Sequence, residues 1–325
     1  MSDEKLRRKE HVAFRERVAY HDFTHEMLKA EGPDAGAFMD KMFVNDISGD
    51  DVGQGSYTSM LNEDGEMIDD LIIFHMEDDM YWLSTLYIDQ MLEEFNKHSD
   101  GYDVEFTDIR DSTVMYAVQG PDSTKTLNKI LDEPVDDLKF FRIRPGKIDD
   151  VDIHVANAGF TGETGYELYF HPDHTDFIEK KIEEAGEEFD IEHIETDVYL
   201  SSIPTEYGLK IMRDFEGLDP FEANLGWTVD WDSDFVGKEA IRDSKENGPK
   251  RNLLGFIVED DDAEVELKAD ILKDGEKVGH VTNYTYGYTV GNNIGFALID
   301  NEKAEKGDNV TIDGVEAKLT SDVFL

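Results

Sequence analysis

Hydrophobic positions in the first 250 residues follow helical spacing in some segments and strand spacing in others. Helical spacing predicts three helices: one through Ile88, Met91, Leu92 and Phe95 that ends near Gly101, one opened by Pro121 that runs through Leu127 and Ile130, and one through Phe177, Ile178, Ile182 and Ala185 that ends at Gly186. Strand patterns cover residues 113–119, 151–157 and 166–170. The two patterns alternate irregularly, which favours an α+β fold over a doubly wound sheet.

The pattern changes at about Arg251. From there, short apolar runs are separated by Asp-Gly and Lys-Gly pairs. Such pairs are typical of tight turns between antiparallel strands. Residues 251–325 are therefore predicted to form a small all-β domain.

Residues 60–74 predict a β-hairpin that carries two adjacent carboxylates. A strand is followed by the Asp64-Gly65 turn and by a second apolar strand that contains Asp69 and Asp70. Neighbouring side chains of a strand point to opposite faces, so the two acids cannot share one environment. A buried carboxylate costs several kcal/mol unless it has a partner or a function. On these residues alone, a functional acid and a solvated hairpin edge both remain possible.

The charge of the chain is strongly acidic, with 31 Lys+Arg against 76 Asp+Glu and a net charge of −45. Nucleic acid and anionic membranes are therefore not expected as partners. The acids are spread along the chain, and 19 Phe, 13 Tyr and 3 Trp argue against a disordered acidic protein. Because molar salt screens such self-repulsion, we expect a halophilic source. No apolar leader or spanning segment is visible, which predicts a cytoplasmic protein.

Generic catalytic motifs are lacking. With no cysteine, the chain cannot use thiolate chemistry or Cys-ligated metals. The glycine-rich residues 159–165 lead into a strand pattern rather than a helix, unlike a nucleotide-binding loop. His171 and His174 flank Pro172 in a predicted turn, and we expect no metal site there or elsewhere.

Five segments carry a family resemblance. They are residues 57–71 (YTSMLNEDGEMIDDL), 117–121 (AVQGP), 159–168 (GFTGETGYEL), 220–227 (PFEANLGW) with 234–240 (DFVGKEA), and 279–282 (GHVT) with 294–298 (IGFAL). In this order and spacing they resemble the glycine cleavage T-protein (aminomethyltransferase) superfamily, which includes tetrahydrofolate-dependent demethylases. The resemblance covers the chain from about His11 to its end.

The resemblance implies a three-domain cloverleaf around a central tetrahydrofolate site. Residues 1–27 with 110–200 would form a folate-binding domain, residues 28–109 with 201–250 the domain of the carboxylate hairpin, and residues 251–325 the C-terminal β domain. It also implies roles for five side chains. Asp69 matches the catalytic aspartate, Glu167 the acid that binds the pterin N–H groups, and Tyr57, Phe160 and Asp70 lie where folate contacts are expected.

Departures from the family pattern concern the one-carbon donor. Phe160 stands where the family has a tyrosine, and Pro204 aligns with an arginine; Arg213 could compensate if the chain folds back. We therefore predict a tetrahydrofolate-dependent methyl or aminomethyl transferase with an atypical donor site. Its partner would be a small-molecule donor or lipoylated H-protein. The alternatives are the housekeeping glycine-cleavage aminomethyltransferase, a non-catalytic folate-binding regulatory protein and an acidic interaction domain without a ligand.

Overall fold

A computed structural model describes residues 3–260 and 262–325 of the chain. The seven helices of this part are α1 (Asp3–Glu16), α2 (Ala35–Met42), α3 (Ile88–His98), α4 (Ser123–Leu127), α5 (Thr175–Gly186), α6 (Ser202–Glu206) and α7 (Arg242–Asn247). The strands of its first 250 residues are β1 (Ala19–Asp22), β2 (Glu26–Glu31), β3 (Gly55–Leu61), β4 (Met67–Glu77), β5 (Met80–Thr85), β6 (Glu105–Asp108), β7 (Val114–Gln119), β8 (Ile143–Ile148), β9 (Val151–Ala156), β10 (Gly165–Phe170) and β11 (Glu192–His193).

Two open sheets make up this region. The first has six strands in the order β11-β1-β7-β10-β9-β8, and the second has five in the order β3-β4-β5-β2-β6. One face of the first sheet packs against α4 and α5 through residues such as Leu168 and Ile178. One face of the second sheet packs against α2 and α3 through Leu83 and Phe95. Each sheet thus has its own helix-covered core, as expected of an α+β fold.

The remaining face of each sheet is turned towards the other sheet. Phe74 of β4 lies edge-on to Tyr169 of β10, with ring centroids 6.0 Å apart. Trp82 of β5 contacts the same tyrosine ring at 6.4 Å. These residues belong to one apolar cluster that joins the two sheets. The faces that carry Glu167 and Asp70 are therefore opposed rather than exposed on separate sides of the protein.

A closed barrel follows from Arg251. Its strands are β12 (Arg251–Val258), β13 (Asp270–Lys273), β14 (Glu276–Gly287), β15 (Asn292–Asp300), β16 (Asn309–Ile312) and β17 (Val315–Thr320). They close in the order β12-β15-β14-β13-β16-β17. The predicted C-terminal all-β domain is confirmed, and closure leaves no unpaired edge strand.

The predicted helices and strands agree with the structure except at α4. That helix begins after Pro121 but ends at Leu127, because Ile130 makes a turn-type bond to the Leu127 carbonyl and Leu131 forms a bridge with Ile148. Tertiary pairing with β8 ends the helix before the apolar pattern does. Among the residues described, no helix is both long and apolar enough to cross a membrane.

Candidate active site

A bulge sets the direction of the two adjacent carboxylates. Met60 lies opposite Asp69 in the β3–β4 ladder, whereas Leu61 lies opposite Met67, so Ile68 is an extra residue in β4. Bulges re-aim the side chains around them. Beyond the bulge the strand alternates normally, and Asp69 and Asp70 point to opposite faces, as the sequence predicted.

Asp70 is on the face turned towards the first sheet. Its carboxylate accepts a 2.7 Å hydrogen bond from the Tyr57 hydroxyl, and Ser59 lies directly across the ladder. Burial raises the pKa of Asp70 to about 6, against the opposing effect of the Tyr57 hydrogen bond. The residue is nevertheless partly exposed. Asp70 therefore combines access to solvent with a proton affinity suited to chemistry near neutral pH.

Asp69 faces the other way. Its side chain is only 1% exposed and accepts a hydrogen bond from the Thr85 hydroxyl. The neighbouring positions on this face, Met60 and Leu71, belong to the core beneath α2 and α3. Burial raises the pKa of Asp69 well above its usual value. The expectation that Asp69 meets the ligands is thus at odds with its orientation, since it lies behind the sheet surface that carries Asp70.

Glu167 occupies the middle of the first sheet, between β7 and β9. It is buried, and its Oε2 accepts a 2.7 Å hydrogen bond from the Tyr169 hydroxyl two residues along the same face. Burial raises the pKa of Glu167 to about 7. No ion pair of the described residues involves this carboxylate, so its second oxygen is available to a ligand N–H group.

The space between these two acids is here called the cleft. Its walls are Tyr57, Asp70, Ile72, Trp82 and Ser84 of the second sheet and Glu167 and Tyr169 of the first. On the second sheet these positions are partly exposed, whereas the positions between them are buried. The alternation shows that this face of the second sheet is less completely covered than the face that packs against α2 and α3.

Three further side chains border the cleft. Phe160 packs against the cluster that joins the sheets. The buried Tyr199 hydroxyl lies against the Phe160 backbone without a well-formed hydrogen bond. Trp227 is 71% exposed and stacks on Tyr57, with centroids 6.2 Å apart and planes inclined by 23°. Trp227 ends the family segment 220–227, whereas no sequence motif pointed to Tyr199.

The polar groups of the cleft fit tetrahydrofolate. Buried polar groups are normally hydrogen-bonded, yet the Tyr199 hydroxyl and Ser59 Oγ have no partner among the described residues. Together with Glu167, the Tyr199 hydroxyl offers acceptors to the N–H groups of a pterin. Tyr57 and Phe160 supply apolar surface for flat rings. The chemistry of this set therefore matches a flat, amine-rich ligand.

The helix α6, which carries Pro204, is bound by an arginine from the N-terminal helix α1. Arg15 of α1 donates to the carbonyls of Ile203 (2.8 Å) and Thr161 (2.7 Å), which ties α6 to the glycine-rich residues 159–165. Arg213 is exposed and forms no ion pair among the residues described. The guanidinium that binds α6 thus comes from Arg15 rather than from Arg213.

Two opposed sheets that carry Asp70 and Glu167 on their facing sides, followed by a closed barrel, define a three-part α+β protein. The family model described as the GCVT N-terminal domain matches residues 3–233. The model described as the glycine cleavage T-protein C-terminal barrel domain matches residues 251–325. The chain belongs to the glycine cleavage T-protein family, which confirms the resemblance. Members of this family are one-carbon transferases that use tetrahydrofolate as the acceptor.

Individual relatives match along nearly the whole chain. An aminomethyltransferase of Bacillus subtilis is 33% identical over 321 residues, which are 94% of this chain and 86% of that protein. One of Halalkalibacterium halodurans is 32% identical over 316 residues, with coverages of 94% and 85%. The crystal structure of glycine cleavage system aminomethyltransferase T from Bartonella henselae has a TM-score of 0.89 at 22% identity and covers 98% of this chain and 89% of that one. The last similarity supports the fold.

Proposed function

We propose that this protein transfers a one-carbon unit from a nitrogen-bearing donor to tetrahydrofolate bound in the cleft. The observation that carries the proposal is the pair of opposed carboxylates, Asp70 on one sheet and Glu167 on the other, each buried enough to raise its pKa. Tetrahydrofolate, when bound, supplies the nucleophilic ring nitrogens. The protein orients the two reactants and provides fixed charge.

Glu167 is the residue that holds the pterin in this proposal. Its carboxylate can accept two parallel N–H bonds, and Tyr169 fixes the orientation of one oxygen. Asp70 faces the reacting end, where it takes up or holds a proton and stabilises a cationic donor. Asp69 supports the strand from behind through Thr85. The proposed roles of the two hairpin acids are thus exchanged relative to the sequence-based assignment.

The donor is the part that the family leaves open. The relatives are named aminomethyltransferases, which supports an aminomethyl group carried by the lipoyl arm of an H-protein. Phe160 and Pro204 are the departures that predicted a different donor. Since Arg15 already binds α6, the loss of an arginine at Pro204 does not leave the helix without a guanidinium. The aminomethyl donor is therefore our first candidate, and a small methylated amine is the second.

One reconstitution experiment separates these candidates. The protein is incubated with tetrahydrofolate and either lipoylated H-protein loaded by glycine decarboxylase or a small methylated amine, in high potassium chloride. Methylene-tetrahydrofolate with ammonia identifies the first donor, and methyl-tetrahydrofolate with the demethylated amine identifies the second. Tight folate binding without turnover for any donor would instead indicate the non-catalytic folate-binding alternative.

A further inference from the structure

A further buried carboxylate, Asp214, adjoins the Asp70 side of the cleft. The short 3-10 helix Met212–Phe215 contacts β4 and the barrel strand β14, and it carries Asp214 between them. Asp214 is 1% exposed. Its Oδ2 accepts from the Ile211 backbone N–H at 3.1 Å and from the Asn283 side-chain amide at 3.4 Å. Its Oδ1 has no hydrogen-bond partner.

Other acceptors around this point are also unpartnered. Asn283 Oδ1 and Ser59 Oγ are buried and make no hydrogen bond, and Thr282 Oγ1 lies close to Asp214 without a bond of normal geometry. Ser59 lies opposite Asp70 across the β3–β4 ladder, so it shares the face of Asp70. Strands β3, β4 and β14 therefore direct oxygen atoms to one junction of the second sheet and the barrel.

No cation of the protein satisfies these oxygens. The ion pairs of residues 3–260 and 262–325 include none with Asp70 or Asp214. Arg213 is next to Asp214 in the chain, but its side chain is exposed and forms no ion pair with it. Burying carboxylate and amide oxygens without partners costs free energy. A cation that carries N–H donors would lower this cost for both kinds of oxygen.

We propose that Asp214, Asn283 and Ser59 form, beside Asp70, a subsite for the protonated amine nitrogen of the one-carbon donor. These oxygen acceptors distinguish donors by the N–H groups that each donor carries. An ammonium group offers several N–H donors to these oxygens, whereas a sulfonium carries the charge without donors and an aryl ether has neither. Burial, with a smaller repulsion from Asp214, raises the pKa of Asp70, so the two acids are close enough to interact with one cation. The inference rests on the proposed function and identifies the residues that would bind the donor nitrogen.

The test uses direct binding, so that it does not depend on turnover. Methylammonium carrying 13C is titrated into the folded full-length protein at constant ionic strength, and its line broadening reports binding. We expect saturable binding that D214N weakens by roughly tenfold or more, because removing a charge from a buried ionic contact is costly. Trimethylsulfonium should bind roughly tenfold more weakly than methylammonium, since it lacks N–H donors.

Controls separate the subsite from general effects. D100N removes an equally negative side chain from an exposed position and should leave binding unchanged. If D214N does not fold, S59A and N283A provide the comparison at the uncharged members of the subsite. Tetrahydrofolate affinity should stay within about twofold in all variants. Equal binding of methylammonium to wild type and D214N, equal binding of both cations, or no saturable binding would each overturn the subsite. Amine binding without any folate turnover would overturn the proposed function instead.

Discussion

The Tyr57 hydroxyl donates a 2.7 Å hydrogen bond to the carboxylate of Asp70. Both residues lie on one face of the β3–β4 hairpin. Tyr57 is paired with Ile72, and Asp70 is two positions from Ile72 along β4, so their side chains point to the same side. The aromatic ring that borders the cleft is thereby bonded to the acid that faces it. A ligand that stacks on Tyr57 would be fixed in position relative to Asp70.

Substitution of the two hairpin acids tests this arrangement. D70N should lower turnover roughly a hundredfold or more with little change in folate affinity, because the amide cannot accept a proton. D69N should act mainly on the free energy of unfolding, since Asp69 lies in the core beside Thr85. Steady-state kinetics and urea unfolding on both variants provide the measurements. A large loss of turnover in D69N with normal turnover in D70N would restore the assignment made from the sequence.

Glu167 should determine the affinity for folate. E167A removes a buried acceptor of pterin N–H groups and should weaken tetrahydrofolate binding by roughly 2–5 kcal/mol. Isothermal titration calorimetry or fluorescence quenching gives the dissociation constant directly. E184A, an exposed glutamate on α5, is the matched control and should bind normally. Unchanged affinity in E167A would remove Glu167 from the pterin site.

The raised pKa of Glu167 also predicts a pH-dependent stability difference in the folate-free protein. Its pKa is about 7 in the fold against an ordinary 4.5, so the folded state binds the proton more tightly. The contribution of Glu167 to the free energy of unfolding is complete below pH 4.5 and is lost as pH rises through 7. E167Q should therefore gain stability relative to wild type at pH 8, by up to about 3 kcal/mol. The comparison uses urea unfolding at pH 4 and pH 8, and an equal difference at both values would contradict it.

Much of the fold could be predicted from local patterns. The Asp64-Gly65 turn fixed the β3–β4 hairpin, and alternation along it required Asp69 and Asp70 to diverge. Which of them faces the cleft could not be deduced, because that depends on the bulge at Ile68 and on the sheet opposite. A one-residue bulge exchanges the faces of a strand and leaves no clear mark in composition.

The remainder of the site depends on contacts distant in sequence. Asn283 reaches Asp214 across 69 residues of chain, and Arg15 reaches Ile203 across 188. Neither pair lies in a motif that sequence spacing could reveal. Arg213 was the candidate for the compensating arginine because it is close in sequence to Pro204. The arginine that binds α6 is instead Arg15, near the start of the chain. Sequence distance is a poor guide where three substructures meet.

Salt should stabilise the protein. Its net charge of −45 produces repulsion that short-range ion pairs cannot cancel, because acids outnumber bases 76 to 31. Raising potassium chloride from 0.1 M to 1 M shortens the Debye length from about 10 Å to about 3 Å and screens that repulsion. We expect the melting temperature to rise over this range, measured by circular dichroism at pH 7.5. A flat or falling melting temperature would contradict the halophilic interpretation of the sequence.

Trp227 should contribute to ligand binding more than to folding. A tryptophan that is 71% exposed gains little from burial, yet this ring stacks on Tyr57 at the border of the cleft. W227A should therefore weaken binding of tetrahydrofolate by roughly 0.5–1.5 kcal/mol, the range of an aromatic contact, or raise the KM of the donor by the equivalent factor. W227F should restore most of the loss. Phe140 provides the matched control, because it is 66% exposed and stacks on Phe141 at 4.1 Å without contacting Tyr57 or Asp70. F140A should leave both constants unchanged. If W227A and F140A have equal effects on the two constants, or if W227A mainly lowers the melting temperature, Trp227 has no specific role in ligand binding.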